Sequence, residues 1–293
     1  MRFLIRVMTT PSGCIQQVEP PGRDYAHIEL TCLMNVYFDQ GDTSALSCLL
    51  ARYAKMPAPI LDRVQFIIVD DASPTRLSIP PDLDLNLLVL RIREDIAWNQ
   101  PGARNLGMVY ARSDKVLVTD VDHEFNQETF NHALAARNPG RTFYKLRRIE
   151  ADGSFRRPHP NTFFLSRARF LKFHGYDEAF AGHYGFDDSM LWRWQRYHGT
   201  RFLYLPKSCV VTHRSVDRED GYHSHDRDLT HNRKIAEAKK TGWKAHGPAA
   251  GHSRRFLGFT WDLVEDRVRS TPIPQPPVRR GWTQTWLWRW LWG

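Results

Sequence analysis

The sequence predicts an α/β domain built on a mainly parallel sheet. Three observations carry that expectation. Apolar runs of strand length recur and end in polar or acidic residues, stretches of helical spacing separate them, and 293 residues are enough to bury a sizeable core. In such sheets ligands gather beyond the carboxyl ends of the strands, and the acidic residues of this chain lie there.

The elements follow in order. Residues 1–27 are expected to form a loosely structured extension, because Pro20-Pro21-Gly22 ends any regular element. Ile28 to Met34 is an apolar run bounded by Asn35 and predicts the first strand. Leu46, Leu49, Leu50 and Tyr53 have helical spacing, with Asp42 or Thr43 as the cap. Val64 to Val69 predicts a buried strand that runs into Asp70-Asp71-Ala72-Ser73-Pro74, and Leu87–Ile92 predicts another. Pro101 to Arg112 reads as a helix with proline in its first turn. Val116-Leu117-Val118-Thr119 is a further strand that leads directly into Asp120-Val121-Asp122. Met190, Leu191, Trp194 and Tyr197 place Asp187 and Asp188 at a helix start, and Cys209-Val210-Val211-Thr212 is strand-like. Thr271 to Pro277 is a proline-rich linker to a short tail.

Composition narrows the function classes. With 42% hydrophobic and 25% charged residues, collagen-like, coiled-coil and wholly disordered chains are excluded. Lys and Arg number 41 against 32 Asp and Glu, and the net charge of +9 points to anionic partners: nucleotides, nucleic acid or acidic lipid. Cys14, Cys32, Cys48 and Cys209 have no metal-ligand spacing and are too few for a disulfide framework, which suits a reducing compartment. Cys32 and Cys48 are expected to be buried thiols. The N-terminus lacks the apolar core of a signal peptide, and no stretch approaches a membrane-spanning helix, so a soluble or peripheral protein is expected.

Five groups of residues offer chemistry. Asp120-x-Asp122 at a strand end could hold a divalent cation on a diphosphate, or could simply cap a turn. Asp70-Asp71 would stand on the same rim. Asp187-Asp188 could be a helix cap favoured by the dipole, or a general base aimed into a cleft. The late histidines His213, His223, His225 and His231 admit a zinc site around His223-x-His225, but most read better as loop histidines. The arginine pairs Arg147-Arg148 and Arg156-Arg157 could bind phosphate or nucleic acid; with no nucleic-acid motif beside them, a solvated, partly acceptor-facing surface is the better reading.

Taken together, Val69-Asp70-Asp71-Ala72-Ser73, Gly102-Ala103-Arg104-Asn105-Leu106-Gly107, Asp120-Val121-Asp122 and Gly185–Asp188 resemble, in order and spacing, the inverting GT-A glycosyltransferases, especially family 2. The C-terminal half is also similar to the beta-1,4-galactosyltransferases through Leu165-Ser166-Arg167, Phe170-Leu171-Lys172, Gly175, the acidic pair and Thr212-His213-Arg214-Ser215. The resemblance covers about residues 28–240. It implies a GT-A fold, Rossmann-like and nucleotide-sugar-binding, over 28–245, followed by a basic extension over 246–293. It implies that Asp70, Asp71, Arg104, Asn105 and Asp120 serve the nucleotide-sugar donor, and that Asp122 and His213 bind Mn2+ or Mg2+. By the same resemblance Asp188 is the base, with Asp187 and Tyr184 on the acceptor side. Two positions depart from the family pattern: its Glu-Asp is Asp187-Asp188 here, and its Gly-Trp-Gly is His183-Tyr184-Gly185. The expected reaction moves a sugar, most simply from a UDP donor, to a hydroxyl of a glycan or lipid-linked glycan. A metal-dependent nucleotidyltransferase, or a degenerate fold acting as a membrane or nucleic-acid adaptor, are the rival readings.

The tail holds Trp282, Trp286, Trp288, Trp290 and Trp292, with Arg279, Arg280 and Arg289 and no acid among them. As a helix it would align Trp282, Trp286 and Trp290 on one side. Tryptophan favours the headgroup boundary and arginine favours anionic lipid, so a peripheral enzyme at the inner, cytoplasmic face of a membrane is expected. The alternative is that these rings pack on the domain or join two subunits.

Overall fold

A computed structural model describes residues 25–150, 152–214 and 224–269. The proline-rich linker, Cys14, His223 and the tail tryptophans Trp282, Trp286 and Trp290 lie outside the described residues.

The core begins with β1 (Leu30–Val36), α1 (Ser44–Tyr53), the short α2 (Ala58–Leu61), β2 (Val64–Asp70) and β3 (Asn86–Ile92). Every residue of β2 is buried, as expected of a strand covered on both faces. Next come α3 (Gln100–Tyr110) and β4 (Lys115–Asp120), and β1 pairs in parallel with both β2 and β4. The GT-A-type architecture thus has its parallel core where the apolar runs predicted it. Helix α3 comes close to the sheet because Gly107 has no side chain; a Cβ there would lie 2.1 Å from Leu33 Cδ1.

Beyond β4 the chain forms β5 (His123–Phe125), α4 (Gln127–Ala135), β6 (Thr142–Lys145), β7 (Arg147–Ile149), β8 (Phe155–Arg156), β9 (Phe163–Ser166) and α5 (Arg167–Lys172). After α6 (Asp187–Tyr197) come β10 (Arg201–Tyr204), β11 (Val210–His213), α7 (Thr230–His246) and β12 (Trp261–Arg267). The main sheet has eight strands in the order β10-β6-β9-β4-β1-β2-β3-β12, and β5-β11-β7-β8 form a smaller sheet. In the main sheet β9 and β12 run antiparallel to their neighbours. The smaller sheet brings His123 of β5 opposite His213 of β11.

Two expectations need correction, and a third, the choice of α1 cap, is narrowed to Asp42. The chain past residue 245 is not a separate extension throughout: β12 pairs with β3, and His252 and Phe259 are buried. Cys48 is exposed, while Cys32 is buried; at 100° per residue, position 48 turns away from the buried Leu46, Leu49, Leu50 and Tyr53 of α1. Thr43 occupies the α1 cap position without a side-chain bond, and Asp42 instead accepts a hydrogen bond from the Ser44 amide at 2.7 Å. Among the described residues no helix is long and apolar enough to cross a membrane.

Candidate active site

A cleft of about 710 Å³ opens at the carboxyl ends of β1, β2 and β4. The strands deliver its acids. Asp71 follows β2, is 5% exposed, and accepts a hydrogen bond from Asn99 Nδ2 at 3.0 Å. Burial pushes its carboxyl up to about 8, against the lowering effect of the Asn99 bond. Asp120 ends β4 and Asp122 follows it, both on the cleft wall.

Around this pair stands a ring of histidines. His123 Nδ1 and Asp122 Oδ1 are 2.6 Å apart, and His213 Nε2 lies 3.7 Å from Asp122 Oδ2. His213 Nδ1 is held by Glu150 Oε2 at 2.9 Å. The ring of His159 lies 4.7 Å from that of His123, and Asp120 Oδ2 is 3.7 Å from His159 Nδ1. Burial opposes ionisation of Asp122, yet the His123 bond and the charges of His123, His159 and His213 hold its carboxyl below the usual range. Burial lowers His159, with Asp120 pulling the other way. The structure therefore brings Asp122 and His213 together and adds Asp120, His123, His159 and Glu150.

A second cavity of about 380 Å³ adjoins the first, sharing Trp98, Tyr184, His159 and Asn161 with it. Asp187 and Asp188 line it from the start of α6. Burial, reinforced by the negative charge of Asp187, pushes the Asp188 carboxyl up to about 8, while Arg104 opposes the rise. Asp187 is raised by burial too. Asp188 Oδ1 receives hydrogen bonds from Tyr176 Oη at 2.8 Å and Arg104 Nη1 at 3.2 Å.

Arg104 is wholly buried and bonds an acid on the wall of each cavity, Asp120 of the first and Asp188 of the second. Its Nη2 bonds Asp120 Oδ1 at 2.5 Å, its Nε bonds Asn35 Oδ1 at 3.0 Å, and its Nη1 serves Tyr176 and Asp188. Burial works against its charge, but Tyr176, Asp120 and Asp188 more than restore it. Its place near the donor is thus indirect: it ties the strand-end acid to the acid of α6.

Two expected donor residues are turned inward. Asp70 pairs with Arg91 of β3 and accepts from the Ser73 amide at 2.9 Å. Asn105 is wholly buried; its amide nitrogen donates to Tyr176 O at 2.9 Å and to Glu178 Oε1 at 2.8 Å, and its oxygen accepts from the Tyr176 amide. Each fastens a loop and neither faces the cleft. Arg148 and Arg156, directly paired across β7 and β8, line the larger cleft beside Glu150. His225 stacks on Tyr37 at 4.4 Å at the cleft mouth, where Tyr184 lies 4.5 Å from Trp98.

Backbone strain collects here as well. Ala72, Trp98 and Phe186 have φ of 59°, 52° and 68°, the left-handed region that side chains disfavour. They adjoin Asp71, Asn99 and Asp187. Such conformations persist where the surrounding fold over-determines them, commonly at ligand sites.

The family model described as Glycosyl transferase family 2 matches residues 46–202, just over half of the chain. Among solved structures, the chain is similar to S. aureus TarS (1–349, in complex with UDP-GlcNAc), with 15% identity, a TM-score of 0.50 and coverage of 75% of this chain and 76% of that one. It is also similar to the mannosyltransferase PcManGT of Pyrobaculum calidifontis, in complex with GDP-Man and Mn2+ (17% identity, TM-score 0.46, coverage 72% and 61%). The Drosophila beta-1,4-galactosyltransferase 7, in complex with manganese, UDP-Gal and xylobiose, gives 11% identity, a TM-score of 0.45 and coverage of 70% and 79%. No curated protein sequence matches the chain. With the parallel core, the acid-lined cleft at its strand ends and the family match all in agreement, the chain belongs to glycosyl transferase family 2 and is a glycosyltransferase of GT-A fold.

Proposed function

We propose that this glycosyltransferase moves a sugar from a UDP donor to a hydroxyl of a glycan or lipid-linked glycan, by one inverting displacement that depends on Mn2+ or Mg2+. The observation that carries the reading is the linkage, through the buried Arg104, of a carboxylate–histidine cluster to the acidic pair of α6 across adjoining cavities. Family membership speaks against the nucleotidyltransferase reading, and the acids retained along the two cavities, Asp71, Asp120, Asp122 and Asp188, speak against a degenerate adaptor.

The residues present fit a divalent cation. His123 Nε2 is buried without a hydrogen-bond partner, and carboxylate oxygens and further imidazoles lie around it. Asp122 and His213, with Asp120 adjacent, are the residues that the sequence points to as its holders. Such a cation supplies neutralisation of the charge that develops on the leaving diphosphate.

The chain's own residues supply the rest. Asp188 takes the proton of the acceptor hydroxyl as that oxygen forms its bond to the anomeric carbon and the sugar–phosphate bond breaks. Its carboxyl, pushed up to about 8, is matched to receiving a proton near neutrality. Arg104 and Tyr176 fix its orientation. Asp71 offers an acceptor to the base or ribose, and Trp98 and Tyr184 flank the passage between the cavities. The TarS likeness, with UDP-GlcNAc bound in that structure, supports a uridine donor. The Trp-rich tail is assigned to an anionic membrane face, which would place the enzyme peripherally at the cytoplasmic side, where lipid-linked acceptors are accessible.

A panel of nucleotide-sugars, scored by nucleoside diphosphate release and by the anomeric configuration of the product, tests the reading. UDP release that stops with EDTA and returns with Mn2+, and an inverted product, are expected. Turnover insensitive to EDTA, or a retained configuration, overturns it.

A further inference from the structure

We propose that the first turn of α7 belongs to the acceptor site: Asn232 is the positioning residue that sets the His183–Gly185 loop, and Leu229 is a wall of the acceptor cavity that decides which acceptors fit. The proposal rests on the reading of the second cavity as the acceptor side and adds to it residues that no motif marked.

Asn232 is wholly buried. Its single amide nitrogen lies within hydrogen-bond distance of three backbone carbonyls, Phe180 O at 3.0 Å, His183 O at 2.6 Å and Gly185 O at 2.9 Å. An amide nitrogen carries two protons, so the three oxygens share them and the chain from 180 to 185 curls round this one group. Away from water, carbonyl oxygens drawn to one point are costly without a donor between them. The loop fixed in this way carries Tyr184, which lines both cavities, and runs directly into Asp187 and Asp188.

Leu229 meets the same loop from the N-terminal end of α7. Gly185 has a φ of 85°, and a Cβ there would stand 2.5 Å from Leu229 Cδ2, so only glycine lets the two approach. Leu229 is exposed and lines the second cavity together with Phe186 and Trp192. The ring of His231 stacks on that of His183 at 3.6 Å. On the approach to α7, Asp226 O accepts a hydrogen bond from Trp98 Nε1 at 2.6 Å, and the Trp98 ring lies 4.5 Å from that of Tyr184. The loop is thus gripped at its carbonyls, at Gly185 and, through Trp98, at Tyr184.

Helix α7 begins at Thr230, beyond residue 202 where the family match ends. Its bonds fall on His183 and Gly185, in the segment where this chain departs from the family's Gly-Trp-Gly. A helix outside the shared core that fixes a divergent loop is placed to set acceptor choice and not the chemistry. Asp188 is held separately, by Tyr176 and Arg104. Disturbing Asn232 should therefore show in the acceptor KM more than in kcat.

The test uses the full chain, the donor that the nucleotide-sugar panel selects and p-nitrophenyl glycosides as acceptor probes, with UDP affinity read by calorimetry. Asn232→Ala should raise the acceptor KM by roughly 10–100-fold, the cost of misplacing a substrate by about 1 Å, while kcat and UDP affinity change by less than about three-fold. Leu229→Ala, at an exposed position on the cavity wall, should raise it by roughly ten-fold and reorder the preference among the glycosides. Lys239→Gln breaks a 2.7 Å pair with Asp177 farther along the same helix, outside both cavities, and should lower the thermal midpoint without moving the acceptor KM. An unchanged acceptor KM in Leu229→Ala, or in a folded Asn232→Ala, overturns the proposal. So does an equal loss of UDP affinity, or a Lys239→Gln that matches Asn232→Ala, since either marks a general loosening of α7. Where Asn232→Ala fails to fold, Leu229→Ala decides. An unmodified chain that turns over a donor but accepts none of the glycosides also overturns the proposal and leaves the donor side of the reading standing. Turnover insensitive to EDTA, or a retained product, overturns the metal-dependent inverting reading and leaves the acceptor assignment to these variants.

Discussion

Removing the guanidinium of Arg104 while keeping its bulk, in Arg104→Met, should destabilise the protein strongly without opening a large cavity. Arg104 is wholly buried, and its partners Asp120 and Asp188 are 21% and 16% exposed, so water reaches the acids only slightly and the arginine not at all. At an effective dielectric constant of about 20, unit charges at the 2.5 Å separation from Asp120 attract by roughly 7 kcal/mol, while Asp188, its carboxyl pushed up to about 8, serves Arg104 near neutrality chiefly as a hydrogen-bond acceptor. Desolvation of the guanidinium takes back several of those kcal/mol, and the cost of breaking such a buried pair from one side is about 3–5 kcal/mol. At about 2–4 °C per kcal/mol for a domain of this size, the midpoint should fall by roughly 6–20 °C in a thermal melt. The double variant Arg104→Met/Asp120→Asn should recover part of the loss, because it removes the charged acid left without its counter-ion. A fall of less than about 4 °C, or a double variant no more stable than Arg104→Met, would show that Asp120 does not depend on this cation and would refute the electrostatic account.

Three other outcomes follow from the same geometry. Asp188→Asn should keep donor affinity in calorimetry yet lose transfer by about 10²–10⁴-fold; in the unmodified enzyme kcat/KM should rise with pH through about 8, as the carboxyl of the acidic pair ionises, and a flat profile there removes Asp188 as the base. His252 is lowered to about 4 by burial, partly opposed by Asp177, so its stabilising contribution is full above its unfolded value of 6.5 and is lost as pH falls from 6.5 towards 4. Between pH 7 and 4 the unmodified protein should lose roughly 3 kcal/mol more in urea melts than His252→Leu, and parallel curves exclude this role. For the tail, full-length protein should co-sediment with anionic liposomes and a chain ending at Ser270 should not; equal behaviour of the two rules out the membrane role of Trp282, Trp286 and Trp290.

The parts of the fold that the sequence made legible are those where burial acts on every residue. The apolar runs of β1, β2, β3 and β4 lie at the centre of the sheet, and each structural strand falls within two residues of its expected place. Strand β12 was missed for the complementary reason. It is an edge strand whose residues Trp-Asp-Leu-Val-Glu-Asp-Arg are exposed or half-buried, so hydropathy carries no alternation; its place is set by backbone pairing to β3. In the second sheet β11 was legible as the apolar run from Cys209, but the short β7 and β8 are similarly silent, and with them went Glu150.

The site shows why a motif is less informative than the rim it sits on. Adjacent residues of one motif face opposite ways: Asp71 lines the cleft while Asp70 is turned to Arg91, and Arg104 reaches the acids while Asn105 fastens the Tyr176 loop. A motif supplies both the residue that meets the ligand and the one that holds the backbone, and linear spacing does not separate them. His123 did carry a signal, since it abuts the Asp-x-Asp pair and a strand's alternation turns it towards the core. His159 carried none, standing between Pro158 and Pro160 in a loop with no periodicity. Its role depends on β9 running antiparallel to β4, which returns the loop before β9 to the acidic end of β4. Long-range pairing of that kind is what converts scattered polar residues into a site. It also explains why Arg104 is buried with two acids at once: Asp120 arrives from the sheet and Asp188 from a helix 68 residues later, and a cation fixed between them holds both elements to one cleft.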